Sequence, residues 1–157
     1  MKKIVLASLI LLVYITSAYS QEISENAIGL RVGDSDGLGA EVSYQRFLWD
    51  TNRIEFDLGW RNSRDVDAFK FASIYQWVFP IEGNFNWYVG AGGGIGSFDA
   101  PHDSGFFLFL AADGGVEYNF PEIPLLLSLD MRPELNFNDD YSDRLDLDIA
   151  IGIRYQF

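Results

Sequence analysis

The chain has 157 residues, no cysteine and a formal net charge of −12. That length corresponds to one domain. The acidic balance excludes a nucleic-acid partner, which needs a basic face to neutralise phosphates, and the absence of cysteine excludes a disulfide framework.

The first predicted element is a leader. In "MKKIVLASLILLVYITSAYSQ", Lys2 and Lys3 form a basic start and residues 4–15 form an apolar run of twelve. Ala18 and Ser20 are the small residues of a cleavage site before Gln21. This pattern predicts a secretory signal peptide over 1–20 and a mature domain over 21–157. Twelve apolar residues are too few for a spanning helix, which needs roughly 20. Removing 1–20 takes two lysines and no acids, so the mature charge becomes −14. An exported chain without disulfides needs another source of stability, and a closed hydrogen-bonded barrel supplies one.

After residue 21 no helical period appears, and apolar–polar alternation recurs eight times. The first strand is expected at about 26–33, with Ile28, Leu30 and Val32 opposite Gly29, Arg31 and Gly33. The second is expected at about 38–47 and the third over "RIEFDLGW", where Ile54, Phe56, Leu58 and Trp60 oppose Glu55, Asp57 and Gly59. The fourth, 68–79, carries Phe69, Phe71, Tyr75, Trp77 and Phe79 on one side. The fifth is "FNWYVGAGGGIGS", the sixth 106–119 and the seventh 125–135. In the eighth, "RLDLDIAIGIRYQF", seven apolar residues from Leu145 to Phe157 alternate with Asp146, Asp148, Ala150, Gly152, Arg154 and Gln156. Period two at this length means strands with one apolar and one polar face.

The glycines of the fifth strand resemble a phosphate loop only in composition. A dinucleotide fingerprint needs glycines at i, i+2 and i+5 before a helix. From Gly90 the last position is Ile95, and from Gly92 it is Ser97. "SFDAPHDSG" reads as a loop and not as a helix. Gly90, Gly92, Gly94 and Gly96 instead share one face of a strand. They are expected to leave room for long inward side chains from neighbouring strands.

Alternation alone does not say which face meets solvent. Three features place the apolar face in lipid. Opposite charges recur in mid-strand on the polar face: Arg31, Arg61, Lys70, Arg132 and Arg154 against Glu41, Glu55, Asp57, Asp113, Glu117, Asp130, Glu134, Asp146 and Asp148. Aromatics collect at both ends of the apolar face. Trp77, Phe79, Phe85, Trp87, Tyr118, Phe120, Tyr155 and Phe157 stand at one end, and Trp60, Phe69, Phe71 and Phe106 at the other. That is the arrangement of two interfacial girdles. Finally, the turns near 48–52, 80–84 and 120–124 are short, whereas 61–67, 97–105 and 136–143 read as longer external loops. The predicted fold is an all-β, eight-stranded antiparallel up-and-down transmembrane β-barrel.

With "PEIPLLLSLDMRPEL" and a terminal strand "LDLDIAIGIRYQF" ending on Tyr155 and Phe157, the chain resembles the small eight-stranded outer-membrane barrels of the OmpA/OmpX-like family over 26–157. The resemblance implies the outer membrane of a Gram-negative cell, outer-membrane lipid as surroundings, and recognition of the terminal strand by the barrel-assembly machinery. It also implies a monomer. No peptidoglycan-binding segment of the OmpA type is expected after the eighth strand.

The function expected is non-enzymatic: envelope structure, or surface interaction through the loops. No catalytic, cofactor-binding or metal-ligating residue is assigned. The acidic loop residues Asp34, Asp36, Asp65, Asp67, Asp99, Asp103, Asp139, Asp140 and Asp143 read as a solvated rim, since "DSDG" lacks the length and closing Glu of a calcium loop. His102 in "DAPHDSG" is the one histidine. Its sequence neighbours Asp103 and Ser104 are too close along the chain to form a base–nucleophile pair with a third orienting group. Three alternatives stay open: a narrow channel along the glycine stripe, a lipid A-modifying enzyme using His102, and a soluble exported barrel whose apolar face lines a ligand cavity.

Overall fold

A computed structural model describes residues 24–33, 39–62, 67–100, 103–137 and 145–157. Eight strands form in chain order: β1 (Asn26–Gly33), β2 (Gly39–Trp49), β3 (Asn52–Asn62), β4 (Asp67–Glu82), β5 (Phe85–Ala100), β6 (Asp103–Asn119), β7 (Leu125–Asn136) and β8 (Leu145–Gln156). Each pairs antiparallel with the next, and β1 pairs with β8, so the sheet closes on itself. Closure satisfies the strand edges that an open sheet would leave unpaired. At the seam, the Asn26 amide donates to the Phe157 carbonyl at 3.2 Å and the Phe157 amide donates to the Asn26 carbonyl at 2.9 Å.

The eight expected strands are all present, but β4, β5 and β6 run longer than their alternation suggested. Ser97–Phe98–Asp99–Ala100 pairs with Asp103–Ser104–Gly105–Phe106, so most of the loop expected at 97–105 is strand. Only 101–102 separates β5 from β6. The loop expected at 61–67 likewise shrinks to 63–66. The asymmetry between long and short connections is therefore weaker than the sequence implied. At the opposite end the turns are tight: 50–51, 83–84 and 120–124. Gly83 adopts φ +59°, the left-handed conformation that a two-residue hairpin loop requires there.

The faces fall as a lipid-facing barrel demands. Ile149, Ile151, Ile153 and Tyr155 of β8 are exposed, while Asp148, Ala150, Gly152 and Arg154 between them are buried. The same reversal holds round the barrel. Leu30, Leu58, Leu108, Leu110 and Leu129 face outward, and Arg31, Arg53, Arg132 and Arg154 face inward with 0–1% exposure. A soluble barrel with an apolar interior is thereby overturned. Aromatic pairs tighten the girdle at the turn end: Phe79 stacks on Trp87 at 4.8 Å, and Tyr118 contacts both Phe85 at 4.7 Å and Phe120 at 4.8 Å. Phe69 and Phe79 stand on the same strand face, ten residues apart. That is about 33 Å along the strand and, at a tilt near 40°, about 25 Å along the axis, the height of a membrane barrel's apolar band.

Near the middle of that band, Ile151 opposes Val32 on β1 and Leu129 on β7. Ile151→Arg is expected to destabilise the folded barrel by about 2–4 kcal/mol, because a charge there meets hydrocarbon. Denaturant unfolding in lipid vesicles checks this. An unchanged midpoint would mean that this face is wet.

Candidate functional site

The interior is the chemically distinctive part of the molecule. It is filled by two zones. The first is an ionic layer whose members come from opposite walls. Arg31 of β1 donates from Nη1 to Glu41 at 2.9 Å and Asp148 at 2.6 Å, and from Nε to Asp130 at 3.0 Å. Arg132 of β7 crosses the lumen to β3, with Nη2 2.7 Å from Glu55 and 2.8 Å from Asp57. Arg154 of β8 reaches Glu55 at 3.0 Å and donates to the hydroxyls of Ser43 and Ser128 at 2.9 and 2.7 Å. Arg53 of β3 crosses to Glu117 of β6 at 2.6 Å, and its guanidinium lies over the Tyr88 ring at 4.7 Å. Lys70 of β4 holds Glu134 of β7 at 2.6 Å.

These links span the interior at several levels. Buried charges are tolerable only when paired and hydrogen-bonded, and each of these bases has at least one carboxylate partner. Among the described residues, four buried arginines and Lys70 face eight buried carboxylates. Arg53 belongs to this layer although the sequence reading left it out. Of the other expected members, the Arg61 side chain lies outside the described residues, and Asp146 is half-buried at the barrel end.

The second zone is apolar and lies toward the loop end of β4–β6. Ala72, Ile74, Phe98, Phe107, Phe109 and Ala111 pack together there. The glycine stripe explains how three aromatics fit inside. The inward face of β5 reads Asn86, Tyr88, Gly90, Gly92, Gly94, Gly96, Phe98. A Cβ on Gly94 would lie 2.5 Å from Phe109 Cζ, and one on Gly96 would lie 2.5 Å from Phe107 Cε1. Gly94 and Gly96 are thus the floor on which Phe109 and Phe107 lie, as expected of long inward side chains from a neighbouring strand. The space these two glycines leave is taken by the two rings. Lys70 Nζ sits over the Phe109 ring at 4.9 Å and joins the two zones.

The acidic rim is only partly in view. Asp67 and Asp99 are strand residues and not loop residues, and they oppose each other directly across β4 and β5. Asp103 starts β6. Asp34, Asp36, Asp65, His102, Asp139, Asp140 and Asp143 lie outside the described residues. Among the described residues, no three acidic or histidine side chains are grouped so as to hold a metal ion.

A closed eight-stranded sheet, with an ionic interior and an apolar belt between two aromatic rings, has the fold of the small outer-membrane β-barrels. Solved structures carry the same likeness. The N-terminal β-barrel domain of OprF from Pseudomonas aeruginosa superposes with a TM-score of 0.71, at 14% identity, over 87% of this chain and 100% of that one. Neisserial surface protein A gives 0.62 at 14% identity, over 84% of this chain and 94% of that one. The outer membrane enzyme PagL gives 0.50 at 12% identity, over 83% and 99%. No protein-family model matches the chain, and no curated protein matches it in sequence. At these identities the likeness is one of fold.

Proposed function

We propose that this chain is a non-enzymatic, monomeric barrel of the Gram-negative outer membrane, exported by its signal peptide, which supports the envelope and meets its surroundings through its loop end. The observation that carries this reading is the reversal of faces. Ion pairs span the interior from β3 to β6, from β3 to β7 and from β4 to β7, so the lumen serves as a core and not as a conduit. The non-enzymatic part rests on composition, with one histidine and no cysteine, and on the pairing of each buried arginine and of Lys70 with a carboxylate. Delivery uses the terminal strand. Tyr155 and Phe157 both project outward and stack with centroids 6.3 Å apart, the aromatic ending that the barrel-assembly machinery reads.

The test is fractionation followed by a denaturing gel with and without boiling. A closed barrel resists detergent until heated. Protein in the outer-membrane fraction whose mobility changes on boiling is the expected result. Soluble periplasmic protein with no change in mobility would sink the reading.

A further inference from the structure

Among the described residues, strand pairing lapses once in mid-strand, between β6 and β7. Leu110 and Ala111 pair with Leu135 and Glu134, and pairing resumes at Gly114 opposite Met131, in unchanged register. The two unpaired rungs are Ala112 against Pro133 and Asp113 against Arg132. Pro133 is the cause, since proline has no N–H to give a ladder. Pairing with β8 runs unbroken through Pro133 and Leu147, so the missing N–H is the one that would face β6. The Ala112 carbonyl is thereby left without its ladder donor. Ala112 stands midway between Phe106 and Tyr118, the girdle residues of its strand, and its side chain faces outward. Lipid supplies no donor at that depth.

The inner side of the same rungs carries two more unmatched groups. Arg132 and Asp113 are both buried. Arg132 Nε stands 3.8 Å from Asp113 Oδ1, too far for a hydrogen bond, and neither atom has a hydrogen-bond partner in the protein. Both side chains are anchored by their other atoms: Asp113 Oδ2 accepts from Gln76, and Arg132 Nη2 lies against Glu55 and Asp57. In the other three buried arginines Nε is matched, donating to Asp130 from Arg31, to Gln76 from Arg53 and to Ser43 from Arg154. We infer that Ala112, Asp113 and Arg132 hold a structural water molecule in the barrel wall. The water accepts from Arg132 Nε and donates to Asp113 Oδ1 and to the Ala112 carbonyl, about the three hydrogen bonds usual for a buried water. A cation would meet the guanidinium and an anion the carboxylate, so the ligand is neutral and both donates and accepts. Gly90, opposite Asp113 on β5, and Ala111, its neighbour on the inner face of β6, add little bulk there. The water thus stands in for the N–H that Pro133 lacks. This inference rests on the membrane reading above, because a wet outer face would serve the carbonyl from outside.

The experiment is NMR on the full mature chain folded in detergent micelles. Cross-relaxation between water and the arginine Nε protons is the readout, and its sign in the rotating frame separates a bound water from proton exchange. A water cross-peak is expected at Arg132 and not at Arg31, Arg53 or Arg154. It should persist in Asp113→Asn, which keeps an acceptor oxygen, and vanish in Asp113→Leu. In Pro133→Ala the restored N–H takes the Ala112 carbonyl, and the residence time of the water should fall about fivefold, one net hydrogen bond's worth. Heat-dependent gel mobility verifies that each variant folds, and the Asn and Ala variants carry the test if the Leu variant does not. A resolved Arg132 Nε proton with no water cross-peak would overturn the inference. Equal cross-peaks at all four arginines would also overturn it, in favour of a generally wet interior. A carboxylic-acid infrared band that Asp113→Asn removes would overturn it in a third way: a protonated Asp113 would then serve the carbonyl directly. Failure of the membrane reading itself would show separately, as loss of the heat-dependent mobility of the unaltered chain.

Discussion

Arg132→Met is expected to destabilise the barrel by about 3–5 kcal/mol, the range for breaking a buried ion pair by removing one partner. Arg132 is fully buried and holds two carboxylates on the opposite wall, Glu55 and Asp57. Without it, Glu55 keeps Arg154 as a partner at 3.0 Å. Asp57 has no other ion pair among the described residues. The loss therefore falls mainly on Asp57. Arg132→Met combined with Asp57→Leu should regain a large part of the stability, because removing both partners leaves less unpaired charge behind. Denaturant midpoints of the three proteins in vesicles check this. A single variant as stable as the unaltered chain would show that water enters this layer and hydrates Asp57.

The second large effect is expected at the glycine floor. Gly96→Val puts a branched side chain against the Phe107 ring and 2.7 Å from the Phe69 carbonyl oxygen. Overpacking of this kind costs about 1–3 kcal/mol and sometimes more. Phe107→Ala alone opens a cavity and costs about 3–5 kcal/mol. The pair should be less damaged than the sum of the two, by roughly 0.5–3 kcal/mol, as contacting residues are. Rescue will be partial, since the Phe69 carbonyl belongs to the backbone and stays in place. Strict additivity in the unfolding measurements would mean that the ring does not lie on this glycine.

The alternation of "RLDLDIAIGIRYQF" made β8 readable because every second residue meets a different medium. The same logic located all eight strands and told the faces apart. It failed at strand ends. Ser97 to Ala100 and Asp103 to Gly105 are short, polar or glycine-rich, and they look like a loop, yet β5 and β6 pair through them. Arg53 was missed because it opens its strand, where the reading of the polar face began at Glu55. Which charges pair was beyond reach. Arg53 meets Glu117 64 positions away, and Arg154 meets Glu55 99 positions away. Those distances are set by the closure and tilt of the barrel, and no local pattern encodes them.

Arg31 ties together four strands at once, through Glu41 on β2, Asp130 on β7 and Asp148 on β8. Two of those partners lie about a hundred positions downstream, so they arrive only when the last strands dock against the first. Until then an inserting chain carries a guanidinium matched only by Glu41 of the adjacent strand, and a surplus of carboxylates on its future inner wall. A half-zipped sheet is therefore penalised both along its open edges and through its uncompensated charges. High contact order slows the approach to the native state. The same arrangement makes completion abrupt: the seam and the ionic layer form together, and they should be lost together, in one cooperative step without a stable ajar intermediate.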